Sequence, residues 1–249
     1  MKASGELVKL TPENAEANKM YGEFLARKAQ ADPANSVALY KQAIPYLEKA
    51  TASLPKAGDA FAMLAHSYQM TNSFEDSKNA YAKAVELNPA SPELKSNYGL
   101  ILGMSGDPAK GAEVLAALTT SPGYKSAAGF ANYGWVLSRM KPPKAAEAIA
   151  AYKRAIELEP TNAGLYYGMG WAQYYAPNYP EAIVYFDKAG SMDKSLFAAT
   201  RSGVGWSQYF TAVKENKNGP NFAKTKEAVA AAEAAGRPDP KLSDAVARY

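Results

Sequence analysis

The sequence lacks cysteine entirely and contains one histidine, His66. Without cysteine there are no disulfides, thiolate metal sites or cysteine nucleophiles. A catalytic triad or a histidine-based metal site would depend on His66 alone, and neither a nucleophile elbow nor a phosphate-binding glycine loop accompanies it. The sequence therefore predicts no enzymatic activity, no cofactor and no metal.

Long apolar runs and a strong net charge are also missing. No stretch of about 18 apolar residues, the length that a membrane span needs, occurs in the chain. The 28 basic and 24 acidic residues leave a net charge of +4, and this small, dispersed excess is too weak to predict nucleic-acid binding. We expect a soluble protein without a membrane span.

The compartment is not determined by these features. The first residues, MKASGELVKLTPEN, contain no apolar segment typical of a signal peptide. The absence of cysteine gives no indication of the redox environment. The cytoplasm and an exported or periplasmic domain separated from its leader both remain open.

What the chain does contain is a helix-pair pattern that returns six times at spacings near 34 residues. In the second helix of a pair, Ala50 and Ala84 are 34 residues apart, as are Ala155 and Ala189. A period of this length predicts a solenoid, in which each pair buries its apolar face against its neighbours. In the first helix a small residue recurs at Gly22, Ala65, Gly99, Gly134, Gly170 and Gly205.

Glycine inside a helix costs about 1 kcal/mol relative to alanine. Its repeated use at the same place in the first helix therefore indicates a close approach of another helix, which offsets this cost. Proline follows most of the second helices, where it ends one helix and prepares the next turn. These prolines are Pro55, Pro89, Pro160 and Pro240.

These residues together resemble the tetratricopeptide repeat family. The clearest repeat contains Phe61, Leu64, Ala65, Tyr68, Tyr81, Ala84 and Pro89 at the places where the family has its packing residues. The resemblance implies an all-α, right-handed solenoid of about six helix-turn-helix repeats with a C-terminal capping helix near residues 243–249. We expect a single domain over residues 1–249, with repeats at 15–57, 58–91, 92–125, 127–162, 163–196 and 198–242.

All three tryptophans directly follow the recurring glycine, at Trp135, Trp171 and Trp206. The resemblance implies that this place faces the inner groove of the solenoid, so that the indoles form a column there. Other residues three or four positions away share that helical face. The predicted partner-binding set is Trp135, Arg139, Tyr167, Trp171, Tyr174, Tyr175, Trp206, Tyr209 and Phe210.

Core packing is the alternative explanation of the aromatic residues. Gly168 and Gly203 offer a second alignment of the repeats, which would turn Trp171 and Trp206 toward the core. The first alignment needs no insertion in residues 163–196, but it places Gln173 and Gln208 where apolar residues are expected. Both alternatives stay open at the level of sequence.

The favoured function is a non-enzymatic scaffold for protein–protein interaction that binds a peptide or helix of a partner protein in its groove. Apolar side chains of the partner would meet the aromatic column, and a partner Lys or Arg would suit a cation–π contact. The carboxylate clamp of some tetratricopeptide repeats is not expected, because Trp135, Trp171 and Trp206 stand where it needs asparagine.

Two other classes of function remain open. The first is a structural subunit that self-assembles through its solenoid ends or exposed aromatic residues. The second is nucleic-acid or sugar binding on aromatic platforms, which is less favoured because stacking surfaces usually carry a basic track. The predicted groove contains only Arg139 as a clear basic residue.

Overall fold

The computed structural model describes Glu6, Val8, residues 10–215 and residues 221–248. This part of the chain forms thirteen α-helices and one short 3₁₀ turn, and no strand. The contacts divide it into two compact units, one ending at Leu118 and the other starting at Thr119. The fold is an all-α helical repeat, while the single domain expected from the sequence stays a prediction.

The first unit contains three helical pairs in its described part, and side chains cap the first helix of two of these pairs. Asn14 Oδ1 accepts the Ala17 amide at 2.9 Å, and Ser91 Oγ accepts the Leu94 amide at 3.3 Å, which satisfies amides that the helix itself leaves free. The helices are α1 (Ala15–Ala31), α2 (Ser36–Ser53), α3 (Gly58–Met70), α4 (Phe74–Leu87), α5 (Pro92–Met104) and α6 (Pro108–Thr119).

The core of the first unit is formed between the two helices of each pair and between neighbouring pairs. A Cβ added at Gly22 would lie 2.7 Å from Leu47 Cγ, and one added at Gly99 would lie 2.6 Å from Leu115 Cγ. A side chain at Gly22 or Gly99 would therefore clash with the paired helix, and the equivalent position of the second pair holds only the buried methyl group of Ala65. The extra residues of the first repeat lengthen its helices to 17 and 18 residues.

The second unit contains three more pairs and a terminal helix. An exposed loop at residues 141–144 joins the first two helices and includes a cis Lys141–Pro142 bond. The terminal helix begins at Pro240, slightly earlier than expected, and residue 249 lies outside the described residues. The helices are α7 (Ala127–Arg139), α8 (Ala145–Leu158), α9 (Ala163–Tyr175), α10 (Tyr179–Met192), α11 (Phe197–Glu215), α12 (Ala223–Ala234) and α13 (Pro240–Ala247).

Two sets of glycines allow the helices of the second unit to pack closely, both within a pair and between neighbouring pairs. A Cβ at Gly134 would lie 2.7 Å from Tyr152 Cδ2, and one at Gly168 would lie 2.7 Å from the Tyr152 hydroxyl. The Tyr152 ring of α8 thus lies between a glycine of its own pair and a glycine of the next pair. Phe186 of α10 lies in the same way between Gly170 and Gly203.

This arrangement resolves the two alignments that the sequence left open. Gly134 and Gly170 each face the large side chain of their own second helix, as Gly22 and Gly99 do in the first unit. Gly168 instead faces Tyr152 of the preceding pair. As a result, the first helices of successive pairs also touch, α7 with α9 and α9 with α11.

None of the helices built by the described residues is long and apolar enough to cross a bilayer.

Candidate functional site

A cavity of about 300 Å³ lies among α7, α8 and α9 in the second unit. Two glycines of α9, Gly164 and Gly168, take part in its lining. Its size is at the lower end of the range for ligand sites, which suits one or two amino-acid side chains. The cavity is lined by Trp135, Ser138, Arg139, Tyr152, Gly164, Tyr167, Gly168, Trp171 and Tyr175.

One wall of the cavity is a cation–aromatic pair on α7. The guanidinium carbon of Arg139 lies 5.1 Å from the centre of the Trp135 ring, within the range of a cation–π contact. Arg139 is exposed, and none of the carboxylates in the described part of the chain forms an ion pair with it. Its planar donor group is therefore held in place at the edge of the cavity without an acidic partner.

Tyr152 of α8 contributes to the floor of the cavity and was not among the predicted site residues. Burial raises the pKa of the Tyr152 phenol well above its ordinary value, and the nearby positive charge of Arg139 only partly opposes this. The phenol therefore stays protonated and neutral. The repeat pattern identifies Tyr152 as a packing residue. It also lines the cavity because α9 packs against it.

The opposite wall is centred on Trp171 of α9. The Trp171 ring lies 6.3 Å from Tyr167 at an interplanar angle of 90° and 6.1 Å from Tyr175. It also lies 5.2 Å from the fully buried ring of Phe186. Trp171 is half-buried, so one part of the indole packs on the core while another part lines the cavity.

The remaining predicted aromatic residues form a second cluster between α9 and α11, which meets the cavity wall where Tyr174 lies 5.3 Å from Trp171 and 5.4 Å from Tyr175. Tyr174 lies 5.9 Å from Phe210 and 5.7 Å from Tyr179, and Phe210 stacks on Trp206 at 6.0 Å. Burial raises the pKa of Tyr174 to about 12. The edge-to-face and stacked geometries are those that aromatic pairs prefer, and they fill the contact between the two helices.

Trp206 and Tyr209 are directed toward the C-terminal helices. Trp206 Nε1 donates a hydrogen bond of 3.0 Å to Asp239 Oδ2, at the residue that caps α13. Tyr209 stacks on Phe222 with 5.0 Å between ring centres and an interplanar angle of 10°. The structure therefore divides the predicted column into two groups. Trp135, Arg139, Tyr167, Trp171 and Tyr175 share the cavity, whereas Tyr174, Trp206, Tyr209 and Phe210 lie in the helix–helix cluster.

The first unit contains a different cavity, of about 310 Å³. Asp59 and Glu93 contribute carboxylates to its lining, together with His66. Burial lowers the pKa of His66, whose Nε2 lies 3.1 Å from the Tyr40 hydroxyl. This cavity has carboxylates in its lining, whereas the aromatic cavity of the second unit has none among the described residues. No group of three or more potential metal-ligating side chains occurs within the described ranges.

Two family models for tetratricopeptide repeats match the sequence. One matches residues 62–125 and the other matches residues 144–175, so the matches fall in both units. No protein of curated function matches the sequence.

Several solved structures share the fold at low sequence identity. PilW, a type IV pilus biogenesis factor, is 21% identical with a TM-score of 0.62, over 86% of this chain and 89% of PilW. YrrB, a tetratricopeptide repeat protein with an unusual peptide-binding site, is 18% identical with a TM-score of 0.54, over 77% of this chain and 93% of YrrB.

A chain of the Cut9–Hcn1 hetero-tetramer of APC/C is 17% identical with a TM-score of 0.73, over 99% of this chain and 44% of that one. This chain thus spans less than half of that larger protein. At such identities the similarity establishes the architecture and nothing more specific. With the helical pairs of its described part, its recurring packing residues and both family matches, the chain contains tetratricopeptide repeats.

Proposed function

We propose that this protein is a non-enzymatic scaffold that holds a segment of a partner protein against the first helices of its second unit. The observation that carries the proposal is the cavity of about 300 Å³ whose walls are Trp135, Tyr167, Trp171 and Tyr175. Tetratricopeptide repeats are in general non-catalytic interaction modules, and the repeat architecture is that of a protein-interaction scaffold.

The side chains that line the cavity support binding of a peptide. Trp and Tyr offer a large contact area with few rotatable bonds, and they are frequent energetic anchors of interfaces. The four rings are all partly exposed, so a partner side chain can reach them without unfolding a helix. The peptide-binding site of YrrB, a protein of the same fold, is consistent with this use of the repeats.

The variants that test the proposal should remove cavity surface and leave the core intact. Trp171 and Trp206 are poor choices, because the first packs on Phe186 and the second is hydrogen-bonded to Asp239. Trp135 and Tyr175 line the cavity and belong to none of the described core clusters. Trp135→Ala and Tyr175→Ala are therefore the informative substitutions.

The experiment is a selection from a displayed library of random peptides on the immobilised wild-type protein and on the Trp135→Ala/Tyr175→Ala variant. We expect the wild type to enrich a family of related peptides that the double variant no longer retains. Phe197→Ala is the matched control, since Phe197 is also an exposed aromatic residue but lies outside the cavity. Absence of enrichment on the wild type, or equal enrichment on the double variant, would refute the proposal.

Self-assembly is a second candidate function, favoured by exposed apolar side chains in the second unit. Val184 is 64% exposed, Phe197 41% and Met192 38%, and exposed apolar side chains mark an interface where they form one contiguous patch. Sedimentation velocity over a range of concentrations tests this candidate. Association that persists in Trp135→Ala/Tyr175→Ala but is lost in Val184→Ser/Phe197→Ser would support it.

A further inference from the structure

The charge at the aromatic cavity is positive and comes from one residue of its lining. Arg139 is the only residue lining it that is charged at neutral pH, and no carboxylate from the described part of the chain takes part in the lining. Tyr152 adds no negative charge, because its phenol stays protonated. The cavity therefore combines an apolar interior with a single positive group at its edge.

We propose that the partner segment carries an apolar side chain next to an internal Asp or Glu, with the apolar group among the rings and the carboxylate on Arg139. This inference rests on the proposed function and specifies which sequences the site accepts. It also makes Arg139 the residue that determines specificity.

The geometry of Arg139 favours an anion over a cation. Its guanidinium lies over the Trp135 ring, so that this aromatic face is already occupied by a positive charge. A Lys or Arg of the partner would be repelled by that charge at close range. The cation–π contact that the sequence suggested for a partner Lys or Arg is therefore disfavoured here. A carboxylate would accept two parallel N–H groups from the guanidinium, the strongest geometry for such a pair.

The stacking also prepares Arg139 for binding. An arginine side chain loses considerable rotamer entropy when it is fixed by a ligand. Contact with Trp135 restricts the side chain before the ligand arrives, which reduces the entropy lost on binding. No intramolecular carboxylate among the described residues has to be displaced from it.

An internal acidic side chain fits the site better than a chain terminus. Terminal carboxylates are typically captured by several backbone amides. The amide of Gly164, at the start of α9 and beside the cavity, already donates to Asn162 Oδ1 at 3.1 Å. The guanidinium N–H groups of Arg139, at the edge of the cavity, therefore remain as donors for a carboxylate on a flexible side chain.

The cavity of the first unit provides an internal contrast. Its lining includes the carboxylates of Asp59 and Glu93, and Asp59 is already paired with Lys19 at 2.6 Å. An acidic side chain would be repelled there. Preference for acidic peptides should therefore depend on Arg139 and not on a general property of the protein surface.

The experiment uses two displayed libraries of about twelve random residues, a length that reaches across helices about 10 Å apart. In one library fixed residues follow the random segment, and in the other the segment ends in a free carboxylate. Both are selected on the wild type, on Arg139→Glu and on Arg201→Gln. Arg201 is the control because it lies 5.2 Å from the Phe197 ring in a similar pair, yet outside the cavity.

We expect the wild type and Arg201→Gln to enrich Asp or Glu beside an apolar residue in the library without free ends. Arg139→Glu should lose this enrichment and favour Lys or Arg instead. Peptides that lack acidic residues, or that Arg139→Glu retains equally well, would overturn the inference and leave the proposed function standing. Acidic selection confined to free termini would overturn the choice of an internal side chain, and no enrichment at all would overturn both proposals.

A titration of the most enriched peptide tests the pair directly. Replacing its acidic residue by the matching amide should weaken binding to the wild type about tenfold and binding to Arg139→Gln hardly at all. Added salt should weaken only the wild-type complex with the acidic peptide. Equal losses in both proteins would show that the carboxylate binds elsewhere.

Discussion

Trp206 Nε1 donates a hydrogen bond of 3.0 Å to Asp239 Oδ2 and thereby ties the last aromatic residue of the predicted column to the terminal helix. The same carboxylate caps α13, since its Oδ1 accepts the Leu242 amide at 3.1 Å, and it also accepts the hydroxyl of Ser202. Leu242 fills the space beside Gly205 that a large residue of the second helix fills in other pairs. Asp239 therefore joins the terminal helix to the repeat.

This junction should respond to acid. Burial alone would raise the pKa of Asp239, but the hydrogen bonds from Ser202, the Leu242 amide and Trp206 outweigh it and lower the pKa below its ordinary value. The pKa of an aspartate in the unfolded chain is about 3.9, so a lower pKa in the folded state stabilises the fold at pH values above about 3.9. This stabilisation is lost as the pH falls through the lowered pKa of the folded state. Asp239→Asn should therefore reduce the free energy of unfolding at pH 7 by about 1 kcal/mol.

The difference between wild type and Asp239→Asn should disappear as the pH falls below about 4. Urea unfolding followed by tryptophan fluorescence at several pH values measures it. Asp107→Asn serves as the control, because Asp107 is an exposed residue before α6, where its Oδ1 accepts the Lys110 amide at 3.0 Å. A difference that is independent of pH would contradict this role of the Asp239 charge.

Gly168→Ala should destabilise the second unit. The new Cβ would lie 2.7 Å from the Tyr152 hydroxyl and nearer still to its ring, closer than van der Waals contact allows. Overpacking of this kind costs about 1–3 kcal/mol, somewhat more than the helix propensity gained from alanine. The loss should appear as a lower melting temperature.

A double-mutant cycle with Tyr152→Leu tests the cause of that loss. Leucine lacks the distal ring atoms that the new Cβ would meet, so Gly168→Ala should be much less harmful in the Tyr152→Leu background. If the two substitutions were simply additive, the contact between Gly168 and Tyr152 would not be the reason.

Two buried threonines should respond oppositely to valine. Thr200 Oγ1 donates to the Phe197 carbonyl at 2.8 Å, whereas Thr225 Oγ1 has no hydrogen-bond partner among the described residues. Both side chains are almost fully buried. Thr200→Val should destabilise the protein by about 1 kcal/mol, and Thr225→Val should be neutral or stabilising by a similar amount, because it removes an unpaired buried hydroxyl.

Denaturant unfolding of the two variants under the same conditions checks this pair. The prediction fails if Thr225→Val loses as much stability as Thr200→Val. The similar shape of the two side chains and their similar burial make each variant the control for the other.

The two tryptophans that line the cavity should differ in how much they contribute to stability. Trp171→Ala removes a ring that packs on Phe186 and should cost about 3 kcal/mol. Trp135→Ala removes a half-exposed ring at the cavity edge and should cost about 1 kcal/mol. Thermal unfolding monitored by circular dichroism measures both, and equal losses would indicate that Trp135 is also part of the core.

Much of the fold could be predicted from the sequence. The recurrence of Ala50 and Ala84 places the second helices of two repeats, and the repeat expected at 58–91 contains α3 and α4. These features are local, since helical periodicity, small residues and prolines act within one pair. The start of α13 was less predictable, because Pro240 can follow one helix as well as open the next.

The candidate site could be predicted only in part. Helical spacing puts Trp171 and Tyr175 on one face, and both line the cavity. The same spacing put Tyr209 and Phe210 on the equivalent face of α11, yet these rings pack against neighbouring helices. The repeat pattern marks Tyr152 as a packing residue, and nothing in its own repeat indicates that it also contributes to the cavity.

The sequence by itself determined the period, the helices and the positions where only a small side chain allows two helices to meet. The tertiary structure alone decided which aromatic rings line a cavity and which ones fill a contact. The physical reason is that spacing along one helix gives the direction of a side chain but not what lies in that direction. Trp135 contacts Arg139 and faces the cavity. Trp206 meets the carboxylate of Asp239, the residue that caps α13 and lies more than thirty positions later in the chain.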